Sequence, residues 1–154
     1  MDPALSNAIA LAAAAHGGET DKTGRPYITH PIRVMLRCEE YGPAAQMTAV
    51  LHDVVEDTWV TLDLLRAIGY PPEVVDAVDA ISRRKTVETY EHYIERCSRN
   101  RIAALVKLAD IEDNSDPARR FGDRYEETME KYRRASRVLR SSLNGKASAG
   151  SGSD

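Results

Sequence analysis

Cysteine is scarce: Cys38 and Cys97 are the only two in 154 residues. They sit far apart in apparent helices, without the close spacing of zinc or redox motifs. That excludes a thiolate metal site and a disulfide framework, and predicts two reduced, packed thiols. No stretch approaches the ~20 consecutive apolar residues of a membrane span. The opening "MDPALSNAIALAAAAHGGE" has an acid where a secretory leader has a basic start. A soluble, cytoplasmic protein without membrane contact is expected. A positive balance is also missing. With a formal net charge of −3, nothing draws the whole chain to a polyanion, and nucleic acid is not an expected partner. The richest basic stretch, Arg119 to Arg140, interleaves its cations with Asp123, Glu126, Glu127 and Glu130. It reads as a solvated, salt-bridged helix face. There is no alternating strand pattern and no internal repeat.

What remains is helical patterning. Residues 4–16 are alanine-rich and stop at Gly17-Gly18, a helix with a glycine C-cap. The stretch "GGETDKTGRPY" has no period and predicts a loop, with Pro31 at the first position of a helix running to about Tyr41. Met47, Val50, Leu51 and Val54 mark one amphipathic helix over 44–57. Thr61 predicts the cap of a short helix ended by Gly69. Further helices are expected at "PPEVVDAVDAIS", "TYEHYIERC" and "RIAALVKLADIEDN", then a long polar one from about Arg119 to Leu143. The expectation is an all-α bundle of about seven helices, one domain over 1–143, with a disordered tail over 144–154.

Ionisable side chains interrupt this apolar pattern in "AVLHDVVEDT", residues 49–58. Four histidines and twelve aspartates give about 0.3 His-Asp pairs by chance. Requiring Glu-Asp at the observed offset lowers that to roughly 0.002, so His52-Asp53-x-x-Glu56-Asp57 needs a physical reason. On a helix His52 stacks with Glu56 and Asp53 with Asp57. Asp110 lies about 40° around its helix from Val106, on the side that faces the core, with Asn114 one turn further. Buried carboxylates demand a cation or hydrogen-bond partners. A divalent metal cancels Asp53 and Asp110, while neutral imidazoles from His52 and from His30 in "PYITHP" complete the set without adding charge. Mixed nitrogen and oxygen ligation suits Mn²⁺, Fe²⁺ or Zn²⁺ with positions left for water. Glu56 and Asp57 are then placed to orient that water or take its proton.

These residues, in this order, resemble the HD-domain metal-dependent phosphohydrolases, and more closely the alarmone hydrolase domain of the RelA/SpoT family in its small single-domain form. The matching pieces are "AHGGETDKTGRPYITHP", "AVLHDVVEDT" and "LVKLADIEDN", spanning about residues 5–117. The resemblance implies an HD-type helical bundle, usually Mn²⁺-dependent, that removes the 3′-pyrophosphate of guanosine tetra- or pentaphosphate (ppGpp, pppGpp). It implies His30, His52, Asp53 and Asp110 as metal ligands and Glu56 and Asp57 as the water-positioning catalytic pair. Lys22, Tyr27 and Asn114 are implied as substrate-binding residues, so the expected partner is a small nucleotide. Two places depart from the pattern. Asp21 stands where the alarmone hydrolases have an arginine packed on guanine, and Ile111-Glu112-Asp113-Asn114 replaces a run reading Arg-x-His-Asn. Both fall on substrate recognition rather than on the metal set. The same chemistry on an adenine alarmone or a phosphorylated dinucleotide is therefore a second expectation, and a non-catalytic nucleotide-binding module a third. Arg25, Arg83, Arg84 and Lys85 are the remaining cations available to phosphates.

Overall fold

The computed structural model describes residues 4–119 and 122–149. Nine α-helices and one 3-10 turn appear among them. They are α1 (Ala4–Ala15), α2 (Thr29–Arg37), the 3-10 turn (Glu39–Tyr41), α3 (Pro43–Leu51), α4 (Val54–Asp57), α5 (Leu62–Ile68), α6 (Pro72–Ile81), α7 (Tyr90–Ser98), α8 (Arg101–Asn114) and α9 (Tyr125–Ala149). The described residues hold no strand, only an isolated bridge between Thr20 and Pro26 in the loop after α1. None of these helices is long and apolar enough to cross a membrane.

Local chemistry sets most boundaries. Thr61, Thr89 and Asn100 each accept a backbone N–H at a helix start, from Leu64, His92 and Ala103, satisfying donors that the first turn leaves free. Gly69 ends α5 at φ +100°, a conformation that costs a side-chain-bearing residue and that glycine accepts. Pro72 opens α6, where its missing N–H costs nothing.

Two helices lie at the centre. α3 packs against α1, α2, α6 and α8, while α8 packs against α2, α3, α6, α7 and α9. Both present small buried residues, Ala45 and Ala49 on α3 and Ala103, Ala104 and Ala109 on α8, which lets their backbones approach closely. Leu51, Leu65 and Leu139 are wholly buried, each stabilising the fold by roughly 2 kcal/mol relative to exposure. Cys38 and Cys97 are buried free thiols, as expected. Burial pushes Cys38 up to about 11 and Cys97 up to about 12.

Three boundaries differ from the periodic reading. The helix expected over 44–57 is broken: α3 stops at Leu51, and Asp53 adopts φ −105°, ψ −7° before α4 begins. The His52 ring compensates the break, since its Nδ1 donates to the Ala49 carbonyl at 2.6 Å. α2 begins at Thr29, so Pro31 is its third residue rather than its first. α9 starts at Tyr125 and runs to Ala149, beyond the Leu143 boundary, while residues 150–154 of the expected tail lie outside the described residues.

Candidate metal centre and adjoining cavity

The helix break at residues 52–53 lies at the end of one central helix, facing the other central helix and the start of α2. There His30, His52, Asp53 and Asp110 converge. His30 Nε2 is 3.0 Å from Asp110 Oδ1 and 3.9 Å from Asp53 Oδ2. His52 Nε2 is 3.3 Å from Asp110 Oδ1 and 3.1 Å from Asp53 Oδ2. Donor atoms of His30, His52 and Asp53 all lie within 4.8 Å of one another. Ligands bound about 2.1 Å from one ion stand about 3 Å apart when adjacent, so this spacing fits a shared divalent cation.

Tautomers decide the matter more sharply than distance. Asp113 Oδ2 faces His30 Nδ1 at 2.7 Å, and the Ala49 carbonyl faces His52 Nδ1. For His52 that partner only accepts, so Nδ1 carries a proton and Nε2 is turned toward the Asp53 and Asp110 oxygens, while His30 Nδ1 lies between the Asp113 acceptor and Arg119 Nη1 at 2.9 Å. His52 Nε2 is buried, with only the Asp53 and Asp110 oxygens facing it among the described residues. Lone pair against lone pair is repulsive unless a positive charge lies between. Burial disfavours charge on His52, yet Asp53 and Asp110 outweigh it and raise its pKa well above the ordinary imidazole value. A divalent cation supplies that positive charge in place of the proton.

The carboxylates are prepared for this duty. Burial alone would raise Asp110, but Lys107 and the two imidazoles hold it well below the usual carboxylate range. Lys107 Nζ binds Asp110 Oδ2 at 2.7 Å and Asn114 Nδ2 donates to Oδ1 at 2.9 Å. The Tyr27 hydroxyl donates to Asp53 Oδ2. Burial, with Asp53 beside it, keeps that phenol protonated. Two carboxylates and Lys107 sum to a single negative charge, so a divalent ion with neutral imidazoles makes the centre net positive, the sign that attracts phosphate.

Glu56 and Asp57 follow on α4 and are bridged by Lys85, at 3.1 Å from Glu56 and 3.4 Å from Asp57. Glu56 also accepts the Arg83 backbone N–H at 2.7 Å. Partial burial, with Asp53 and Glu56 nearby, raises the Asp57 pKa. Arg84 pairs with Asp79 instead, and Arg25 gives its backbone to the loop after α1.

A cavity of about 600 Å³ adjoins the cluster through Tyr27 and Asn114. Lys22 lines it with them, so the three substrate-binding candidates share one pocket. Asp21 also lines it, but its Oδ1 accepts the Thr23 N–H, the Thr23 hydroxyl and the Arg25 N–H. The Thr23 hydroxyl bond is the main cause of its lowered pKa. Lys107, Asp113 and Arg119 were not foreseen as site residues. Lys107 and Asp113 stand three residues either side of Asp110, a spacing that puts them on its edge of the helix and was legible. Arg119, read from sequence as part of a solvated face, is instead nine-tenths buried in the cavity wall.

The HD domain family model matches residues 8–140. The guanosine-3′,5′-bis(diphosphate) 3′-pyrophosphohydrolase of Haemophilus influenzae is 34% identical over 115 residues, 68% of this chain and 17% of that protein. The bifunctional (p)ppGpp synthase/hydrolase SpoT of Escherichia coli is 34% identical over 121 residues, 71% of this chain and 17% of that protein. The chain thus spans about a sixth of the length of these relatives. A solved structure reported for a metazoan ortholog of SpoT that hydrolyzes ppGpp superposes with a TM-score of 0.73, covering 95% of this chain and 97% of that chain at 23% identity. At that identity the likeness speaks for the fold. With helices, cluster and family match in agreement over the same residues, the chain belongs to the HD-domain family.

Proposed function

We propose that this protein is a Mn²⁺-dependent phosphohydrolase that removes pyrophosphate from the 3′ position of a nucleotide, with guanosine 3′,5′-bis-pyrophosphate as substrate. One observation supports the metal reading: His30 Nε2 and His52 Nε2, the latter with its ring fixed by the Ala49 carbonyl, both lie within 4 Å of Asp53 and Asp110 oxygens. His30, His52, Asp53 and Asp110 hold the ion. Imidazole and carboxylate without thiolate suit Mn²⁺. When bound, a divalent ion supplies Lewis acidity toward a phosphoryl oxygen and lowers the pKa of water. The protein's own groups do the rest. Glu56 and Asp57, bridged by Lys85, orient the attacking water and take its proton, and Lys107 fixes Asp110. Lys22, Tyr27 and Asn114 line the space where the nucleoside sits. The named activity of the relatives supports the substrate.

The test is a product assay. The chain supplied with Mn²⁺ is incubated with guanosine and adenosine alarmones and with 3′-phosphorylated dinucleotides. Release of inorganic pyrophosphate from the guanosine compound, abolished by chelation and by Asp53→Ala, is the expected result. Tight nucleotide binding with no product released would replace the reading with a regulatory binding module.

A further inference from the structure

The link between α6 and α7 carries three cations in a row, Arg83, Arg84 and Lys85. Two are committed: Arg84 pairs with Asp79, and Lys85 bridges Glu56 and Asp57. Arg83 is half-buried, yet its guanidinium makes no ion pair among the described residues. Its Nε is fully buried and closed to any ligand. Nη1 and Nη2 are not closed, since they bond no described residue and still reach solvent. The terminal fork of the guanidinium is therefore an open pair of donors.

Two contacts fix where Arg83 stands. Its backbone N–H donates to Glu56 at 2.7 Å, and its guanidinium carbon lies 5.5 Å from the centre of the Tyr90 ring. Tyr90 meets Tyr93 edge-on at 5.9 Å, and Lys107, which holds Asp110, lies 5.5 Å from the Tyr93 ring. Lys131 on α9 reaches the Tyr90 ring at 4.5 Å, one turn beyond Thr128 of the cavity wall. Arg83 thus adjoins the water-positioning pair on one side and a lysine-flanked tyrosine layer on the other. It does not line the cavity where the nucleoside sits.

Charge chooses the ligand. A half-buried guanidinium with lysines around it is unfavourable until an anion joins it, and its fork matches two oxygens of one phosphate. A neutral base would leave the charge uncompensated. The nucleoside side of the cluster is marked by Tyr27 and Asn114, so the part of the substrate that extends toward Glu56 and Arg83 is the 3′ phosphate chain. Its inner phosphate is the one attacked; the outer one is left for Arg83.

Resting on the phosphohydrolase reading above, we propose that Arg83 is a specificity-determining residue that donates Nη1 and Nη2 to the outer phosphate of the 3′-pyrophosphate, so that the site takes a pyrophosphoryl group in preference to a single phosphate.

Binding of inorganic pyrophosphate tests this without turnover. Pyrophosphate and orthophosphate are each titrated calorimetrically into the protein, with Mn²⁺ matched in both solutions. Arg83→Gln weakens pyrophosphate by about 10-fold or more, the worth of a hydrogen-bonded charge pair, and leaves orthophosphate unchanged. Arg83→Lys, which keeps the charge but not the fork, falls between. Loss of packing on Tyr90 alone would move both anions alike or neither. An unchanged pyrophosphate affinity in a folded Arg83→Gln overturns the proposal, as does an equal loss for both anions; if that variant does not fold, Arg83→Lys carries the same two readings. Pyrophosphate binding that depends on Arg83 in a chain that hydrolyses no nucleotide would sink the phosphohydrolase reading and keep this one. Pyrophosphate release from the nucleotide, with product binding indifferent to Arg83, would do the reverse.

Discussion

The His/Asp cluster and the cavity beside it are built in opposite ways. Every cluster group projects from a helix or the break between two helices, and three of the four are buried. The cavity is walled by the loop between α1 and α2, by the α8–α9 connection and by the start of α9. The first is fixed by packing of the central helices; the second by hydrogen bonds among short polar segments. Tyr27 and Asn114 join the two, since each lines the cavity and donates to a cluster carboxylate, Asp53 and Asp110 respectively.

The largest expected effect breaks the cluster side. Asp53→Ala removes one of the oxygens that His52 Nε2 faces and frees the Tyr27 hydroxyl from its acceptor. Turnover should fall by at least about a thousandfold, equivalent to about 4 kcal/mol of transition-state stabilisation, with loss of stoichiometric metal in elemental analysis. Retained metal with unchanged turnover would remove Asp53 from the centre. Asp113→Asn comes next. Asp113 holds His30 Nδ1 while Arg33 donates to it at 2.9 and 3.2 Å, and these partners keep its pKa low against its burial. Loss of a group that orients a metal-binding imidazole typically weakens metal affinity by about 10–100-fold. A Mn²⁺ titration reads that directly, and an unchanged affinity would make Asp113 a purely structural ion-pair partner.

A third substitution starts from the cavity side. Asp21→Ala removes three hydrogen bonds from the Asp21–Arg25 turn, where Gly24 sits at φ +80°. KM for the nucleotide should rise by about fivefold, the worth of about one lost hydrogen bond, with kcat and metal content unchanged. A fall in kcat instead would show that the two regions are coupled through this loop.

The same division governs what could be read from sequence. Helix existence was legible because burial of one face imposes a period of 3.6, and the cluster was legible because acids at core-facing positions violate that period. The break at His52–Asp53 was not, since Met47, Val50, Leu51 and Val54 keep helical spacing across it and only the His52 side chain compensates the broken turn. The cavity wall was not legible either. Arg119 belongs to a charge-dense stretch whose composition matches a solvated helix, and its burial depends on Asp113 and Asp21, remote from it in structure type and, for Asp21, in sequence. Asp21 looked like a lost base contact because residue type alone cannot reveal that a carboxylate is spent on its own loop.

The smallest expected effect separates support from function in the link between α6 and α7. Glu88 accepts Arg84 N–H and Arg96 Nη2 at 2.7 and 2.8 Å, and Arg96 also donates to the carbonyls of Asp79 and Ser82. This clamp holds the segment that brings Lys85 to Glu56 and Asp57. The Arg96 hydrogen bond, against some burial, lowers the Glu88 pKa to about 2 from its usual 4.5. A depressed acid stabilises the fold above its unfolded pKa and loses that contribution as pH falls through its folded pKa. Glu88→Gln should therefore destabilise by under about 1 kcal/mol at pH 7, the range of a partly solvated ion pair. The difference from the wild type should hold down to about pH 5 and shrink between about 4.5 and about 2 in denaturant melts. A gap that persists at pH 2 would assign the loss to packing of the link rather than to the ionised carboxylate. A change in kcat larger than the change in stability would place this clamp among the groups that position Asp57.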